Sequence, residues 1–89
     1  KTVTDMSVES RKKYIGKYMI QRYGQLHIKM AERGLEMTGN FMKKPIPILA
    51  ESETSFFDAR DGATYTFDLD GSMVIGFEID GLKAVKVRD

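Results

Sequence analysis

From Tyr14 onward, apolar and polar side chains alternate with a period of two, and glycine-bearing dipeptides interrupt the alternation about every ten residues. The punctuation falls at Tyr23-Gly24, Arg33-Gly34, Asp61-Gly62, Asp70-Gly71 and Asp80-Gly81. Runs of β-branched and aromatic residues between such dipeptides mark consecutive antiparallel hairpins. The pattern predicts strands near 16–22, 25–31, 35–38, 48–51, 54–58, 63–69, 72–79 and 82–88. Leu26, Ile28 and Met30 share one face of the second strand, with Gln25, His27 and Lys29 opposite. Tyr65, Phe67 and Leu69 share a face of the sixth. In the seventh, Met73, Ile75, Phe77 and Ile79 share a face, and Gly76 opposite them hints at a bend. The apolar phase of the last strand slips between Leu82/Ala84 and Val85/Val87, which predicts a bulge there. Pro45 and Pro47 favour an extended edge or a crossing segment over a central strand.

Before the alternation begins, Ser7 is placed to cap a short helix over 8–13 whose last turn is basic, as the helix dipole favours. Residues 1–6 read as a linker or disordered terminus, and 7–89 as one β-barrel domain. Eight short strands with hairpin links close as a meander barrel or fold as two packed sheets. The expected fold class is all-β: an antiparallel meander barrel of about eight short strands with a short N-terminal helix.

Composition narrows the class. A chain of 89 residues, 42% hydrophobic and 30% charged, is one folded domain. Its size leaves a thin margin, because so short a domain buries only about 60–65% of its unfolded surface. Barrel closure or a partner would add burial. No cysteine means no disulfide, no thiolate metal site and no cysteine nucleophile. No apolar run approaches membrane-spanning length. The chain starts at Lys1, which suggests a processed product or a piece of something longer. Net charge is only +1, but residues 1–44 carry a balance of +6 and residues 45–89 one of −5. Faces of differing sign, or a charged docking surface, follow from that asymmetry.

Candidate chemistry is sparse. Ser10-Arg11-Lys12-Lys13 matches Ser-x-x-Lys, but the partner motifs of that catalytic set are missing, and three adjacent cations are costly to bury together. The match reads as a solvated helix end. His27 is the only histidine and sits on a polar strand face, too little for a zinc site. Asp68-Leu69-Asp70-Gly71 resembles the start of a calcium loop without its closing glutamate, so Asp70-Gly71 reads as a hairpin turn. Asp58, Asp61, Glu51 and Glu53 could serve as acid and base or hold a divalent ion, but suit turns and a solvated rim. Tyr14, Tyr18 and Tyr23 interleave with Lys13, Lys17 and Arg22, a pattern that can track single-stranded nucleic acid. The low net charge argues against it. Six methionines leave room for an adaptable apolar cavity and a small apolar ligand. No catalytic, cofactor-binding or metal-binding residue set is expected.

One ordered series of motifs remains. Tyr14-Ile15-Gly16-Lys17-Tyr18 opens the first strand after a basic helix. Pro47-Ile48-Leu49, Glu51-Ser52-Glu53-Thr54-Ser55-Phe56-Phe57, Tyr65-Thr66-Phe67, Gly71 and Ala84-Val85-Lys86-Val87 follow in order. The series resembles the lipocalin-like C-terminal β-domain of β-lactamase-related serine hydrolases and peptidases, over roughly residues 8–88. The resemblance implies a lipocalin-like barrel acting as a non-catalytic accessory domain that gates substrate access or mediates domain and subunit contacts. It implies an upstream hydrolase domain or other subunits as partners, and a periplasmic or extracellular setting. Catalytic residues of that family lie in the upstream domain, so none carries over. Tyr14, Gly16 and Tyr18 carry over as structural positions, the tyrosines packing at the barrel mouth and the glycine where bulk is excluded; Phe56 and Phe57 belong to the same structural set. The alternative is a free-standing barrel that binds a small ligand in its interior.

Overall fold

A computed structural model describes residues 3–87 of the chain. One helix, α1 (Val8–Lys12), precedes eight strands: β1 (Gly16–Ile20), β2 (Gly24–Met30), β3 (Leu35–Gly39), β4 (Ile46–Ala50), β5 (Ser55–Asp58), β6 (Thr64–Asp70), β7 (Met73–Ile79) and β8 (Leu82–Lys86). Each strand pairs antiparallel with its sequence neighbours. β8 then returns to β1 through Tyr18↔Lys86, Met19↔Val85 and Ile20↔Ala84, closing the barrel. The all-β meander barrel is therefore the fold. Residues 1 and 2 of the expected linker, and Arg88 at the expected end of the last strand, lie outside the described residues.

Turn chemistry sets the hairpins. Asp80 (φ 49°) and Gly81 (φ 81°) fill the two-residue link between paired Ile79 and Leu82. Two positive φ angles give that turn a twist matching its strands. The β6–β7 turn lies one residue later than expected: Asp70 pairs with Met73, and Gly71 (φ 64°) leads a Gly71-Ser72 turn.

Three expectations need correction. The bulge lies in β7, not β8. Asp68 pairs with Gly76 and Leu69 with Val74, which leaves Ile75 as the extra residue. Val74 and Phe77 consequently face the core, whereas Met73 and Ile75 face outward, half exposed. Gly76 is required at the bend because an added Cβ would lie 2.2 Å from the Ala84 carbonyl oxygen. β8 pairs regularly with β7, and its apparent phase slip is an outward-facing valine, Val85. Pro47 is the second correction. It lies within β4, paired with Glu36 of β3. β5 ends opposite Ile48 at Asp58, so the missing N–H of Pro47 falls beyond the β4–β5 ladder, while its carbonyl accepts from Ala59 N at 3.0 Å.

Arg11 is the third correction: it is buried rather than part of a solvated helix end. Ser7 Oγ caps α1 by accepting from Ser10 N at 3.1 Å. The stretch before it is seated on the barrel, since Thr4 donates from its N to Ala50 O and from Oγ1 to Glu51 O, both at 2.7 Å.

Rings fill the closed half of the interior. Tyr14 packs against Phe56 and Phe67, each with centroids 5.0 Å apart. Phe67 meets Phe77 at 5.3 Å, and Phe77 meets Tyr65 at 5.7 Å. Such edge and tilted pairs contribute about 0.5–1.5 kcal/mol each beyond area burial.

Candidate functional site

Successive hairpins place their turns at alternate ends of the barrel. The β2–β3, β4–β5 and β6–β7 turns share one end with α1. Arg11 Nη1 donates to Ala31 O at 2.9 Å and Gly34 O at 2.7 Å, holding the helix across that end. The Tyr14 hydroxyl donates to Glu53 O, and Met6 packs against the core.

The opposite end, built from the β1–β2, β3–β4, β5–β6 and β7–β8 links, opens into a cavity of about 520 Å³. That volume falls within the range of small-ligand pockets. Buried Leu26, Met37, Tyr65 and Phe77 line its inner part, and Ile20, Ile46, Ile79 and Leu82 its walls. Tyr23 and Phe41 form a lip, their rings 5.3 Å apart and each substantially exposed. Met42, Lys43 and Lys44 follow on the same β3–β4 link, which makes that side of the rim apolar and cationic.

Across the rim, the β5–β6 link carries acid. Asp58 is buried and accepts from Arg60 three times: from backbone N at 2.8 Å, from Nε at 3.1 Å and from Nη2 at 2.9 Å. The Arg60 side-chain hydrogen bonds hold the Asp58 carboxyl below its ordinary pKa, against the opposing effect of burial. Burial, aided by Asp58 and Asp61, pushes the Tyr65 phenol up to about 12, so this lining residue of the cavity stays neutral. The arrangement suits an apolar body inside the barrel and an anionic group near Lys43 and Lys44. Sequence reading noted methionine adaptability but missed Phe41, Met42 and the lysine pair as a lip. Their signal is an apolar pair followed by two cations in a link otherwise expected to be polar.

The other candidates scatter. Ser10 is exposed and accepts from Ser7 Oγ at 3.0 Å, while the Lys13 ammonium lies 5.4 Å from the Tyr14 ring centroid. His27 stands on the outer face of β2, its Nε2 3.2 Å from Gln25 Nε2. Asp68 and Asp70 are exposed on β6. Glu51 and Glu53 sit at the helix-covered end, with the barrel length between them and Asp58 and Asp61. Among the described residues no three His, Asp or Glu side chains gather into a group able to hold a metal ion. No described helix is long and apolar enough to cross a membrane.

The structural set falls in the wall and core. Tyr14 and Tyr18 are fully buried at the helix-covered end, with Tyr18 Oη donating to Tyr14 O at 2.7 Å. They are unavailable for stacking on nucleic acid bases. Gly16 has φ 148°, which disfavours a side chain, and an added Cβ would meet Lys86 Cε at 3.0 Å. Lys86 spans this spot to donate to Lys13 O at 2.9 Å. Phe56 belongs to the core cluster, and Phe57 is buried outside it.

No curated protein and no solved structure matches the chain. A family profile described as a domain of unknown function, DUF3471, matches residues 1–86. With nearly its whole length covered by that match, the chain belongs to the DUF3471 family.

Proposed function

We propose that this domain is a non-catalytic accessory barrel of a β-lactamase-related serine hydrolase. In that setting its open cup holds the apolar part of a substrate, or an apolar side chain of the adjoining domain, beside the active site. The cup carries this reading: α1 and its tethers cover one end, while the other opens into about 520 Å³ of mainly apolar space. The ordered motif series around Tyr14, Gly16 and Tyr18 supports the hydrolase setting. Binding remote from the reacting bond changes KM when it is equal in ground and transition states, and kcat when it is not.

The test uses the gene that encodes this chain, read on both sides, and the hydrolase expressed with and without the barrel. Removing the barrel is expected to raise KM for long-chain acyl esters more than for acetyl esters. Equal effects on both would remove the gating role. Ester or β-lactam turnover by the 89 residues alone would sink the non-catalytic reading. The free-standing ligand binder is the second reading, favoured by the same cavity; it predicts saturable uptake with no hydrolase domain present.

A further inference from the structure

The meander order converts the uneven charge of the sequence into a lateral one. β1–β3 belong to the basic half and β4–β8 to the acidic half, and the two meet where β8 closes on β1. The outer surface of that seam is apolar. Val85 is 62% exposed, Met19 beside it 47% and Ile75, pushed outward by the bulge, 45%. Asp68 and Asp70 on β6 bound this strip on one side; on the other lie half-buried Lys17 on β1 and exposed Lys29 on β2, the latter paired in register with Glu36 of β3. Of the two cations on β8, Lys83 is paired in register with Glu78 and Lys86 is drawn away to donate to Lys13 O, so neither disturbs the division.

We propose that this face is the contact between two copies of the chain. An isologous pair needs a patch complementary to itself. With the two-fold axis parallel to β8, Val85 lies against the partner's Val85, and the acidic flank of each copy lies over the basic flank of the other. An axis perpendicular to the strands would oppose like charges, so the signs select one arrangement. A uniformly charged partner would meet repulsion along one flank, whereas a second copy meets attraction along both. The inference is independent of the cup and of any hydrolase domain, because the strip lies on the outer wall.

Sedimentation of the 89-residue chain tests it. Wild type is expected to dimerise reversibly within about 1 μM to 1 mM, with weaker association at high salt. Val85→Asp is expected to be monomeric with an unchanged melting temperature, since the side chain faces solvent. Asp68→Lys with Asp70→Lys, and Lys17→Glu with Lys29→Glu, are each expected to weaken self-association, and mixing the two variants to restore a heterodimer. A wild type that stays monomeric throughout, dimers that survive Val85→Asp, or a mixture that fails to pair overturns the proposal.

Discussion

Arg11 Nη1 donates to the Gly34 carbonyl oxygen at 2.7 Å and so ties a five-residue helix to the β2–β3 link at one end of the barrel. Its Nη1 also reaches Ala31 O, while Nε is buried with no partner among the described residues. Carbonyl dipoles therefore carry the compensation of this buried charge. Arg11→Ala is expected to cost about 2–4 kcal/mol, from lost charge-assisted hydrogen bonds and lost packing. Arg11→Met, which keeps much of the volume without a charge to satisfy, should cost less. Gly34→Ala should cost about 1–3 kcal/mol or more, because its Cβ would lie 2.3 Å from Ile48 O. Urea unfolding measures all three; an Arg11→Ala midpoint equal to wild type would show that the tether does not secure the helix.

Buried phenols make the barrel sensitive to alkali. Burial raises the pKa of Tyr14 and Tyr18 above 10.0, and that of Tyr65 to about 12. The folded state thus holds these protons more tightly than the unfolded chain. Their contribution is complete below pH 10 and declines as pH rises from there through the folded pKa values. Guanidinium unfolding at about pH 8 and about pH 11 should show that decline. Tyr18→Phe should reduce it while costing about 1–2 kcal/mol at neutral pH, from the donor lost to Tyr14 O. An unchanged pH dependence in Tyr18→Phe would dissociate this phenol from the effect.

At the acid end, the relevant group is Asp58. Its folded pKa is depressed below 3.8, first by the side-chain hydrogen bonds from Arg60. Stability from this group is present above pH 3.8 and is lost as pH falls through the lower folded value. Asp58→Asn should cost about 1–3 kcal/mol at pH 7 and flatten the acid limb of the stability profile. Thermal melts from about pH 6 down to about pH 2 measure it, and an Asn variant with the wild-type acid slope would assign that slope elsewhere.

Much of the fold was legible because alternation and turn dipeptides act locally. Asp80-Gly81 encodes its own φ angles, and Leu26, Ile28 and Met30 encode which face is wet. The bulge was not legible in place. Met73, Ile75 and Phe77 form a valid period-two series, and only the cross-strand pairing of Asp68 with Gly76 reveals that Ile75 is extra. Pro47 looked unfit for an interior strand because its cost depends on where β5 stops, which is a tertiary fact. Burial of Arg11 was hidden for the same reason: nothing adjacent in sequence announces two carbonyls, 20 and 23 positions away, waiting for a donor. The cup depended on how far the ring column of Tyr14, Phe67 and Phe77 reaches along the barrel, a matter of summed volumes rather than of pattern.

That unfilled half gives the last prediction. Leu82 stands in the cup wall at the start of β8, only partly buried, so a larger side chain there can extend into the cavity without displacing the core. Leu82→Trp is expected to keep the wild-type melting temperature and to weaken binding of a fluorescent fatty acid analogue at least about tenfold, or about 1.4 kcal/mol. Lys43→Glu with Lys44→Glu tests the rim separately. The pair should weaken the carboxylate probe and leave its alcohol counterpart unaffected, because only the former has a charge for the lysines to meet. Fluorescence titration of both probes against the three proteins separates the outcomes. Loss of both probes in Leu82→Trp, with loss of the carboxylate alone in the lysine variant, places the chain inside and the head group at the β3–β4 lip. Equal binding of both probes to wild type and Leu82→Trp would mean that the cup is not where they bind.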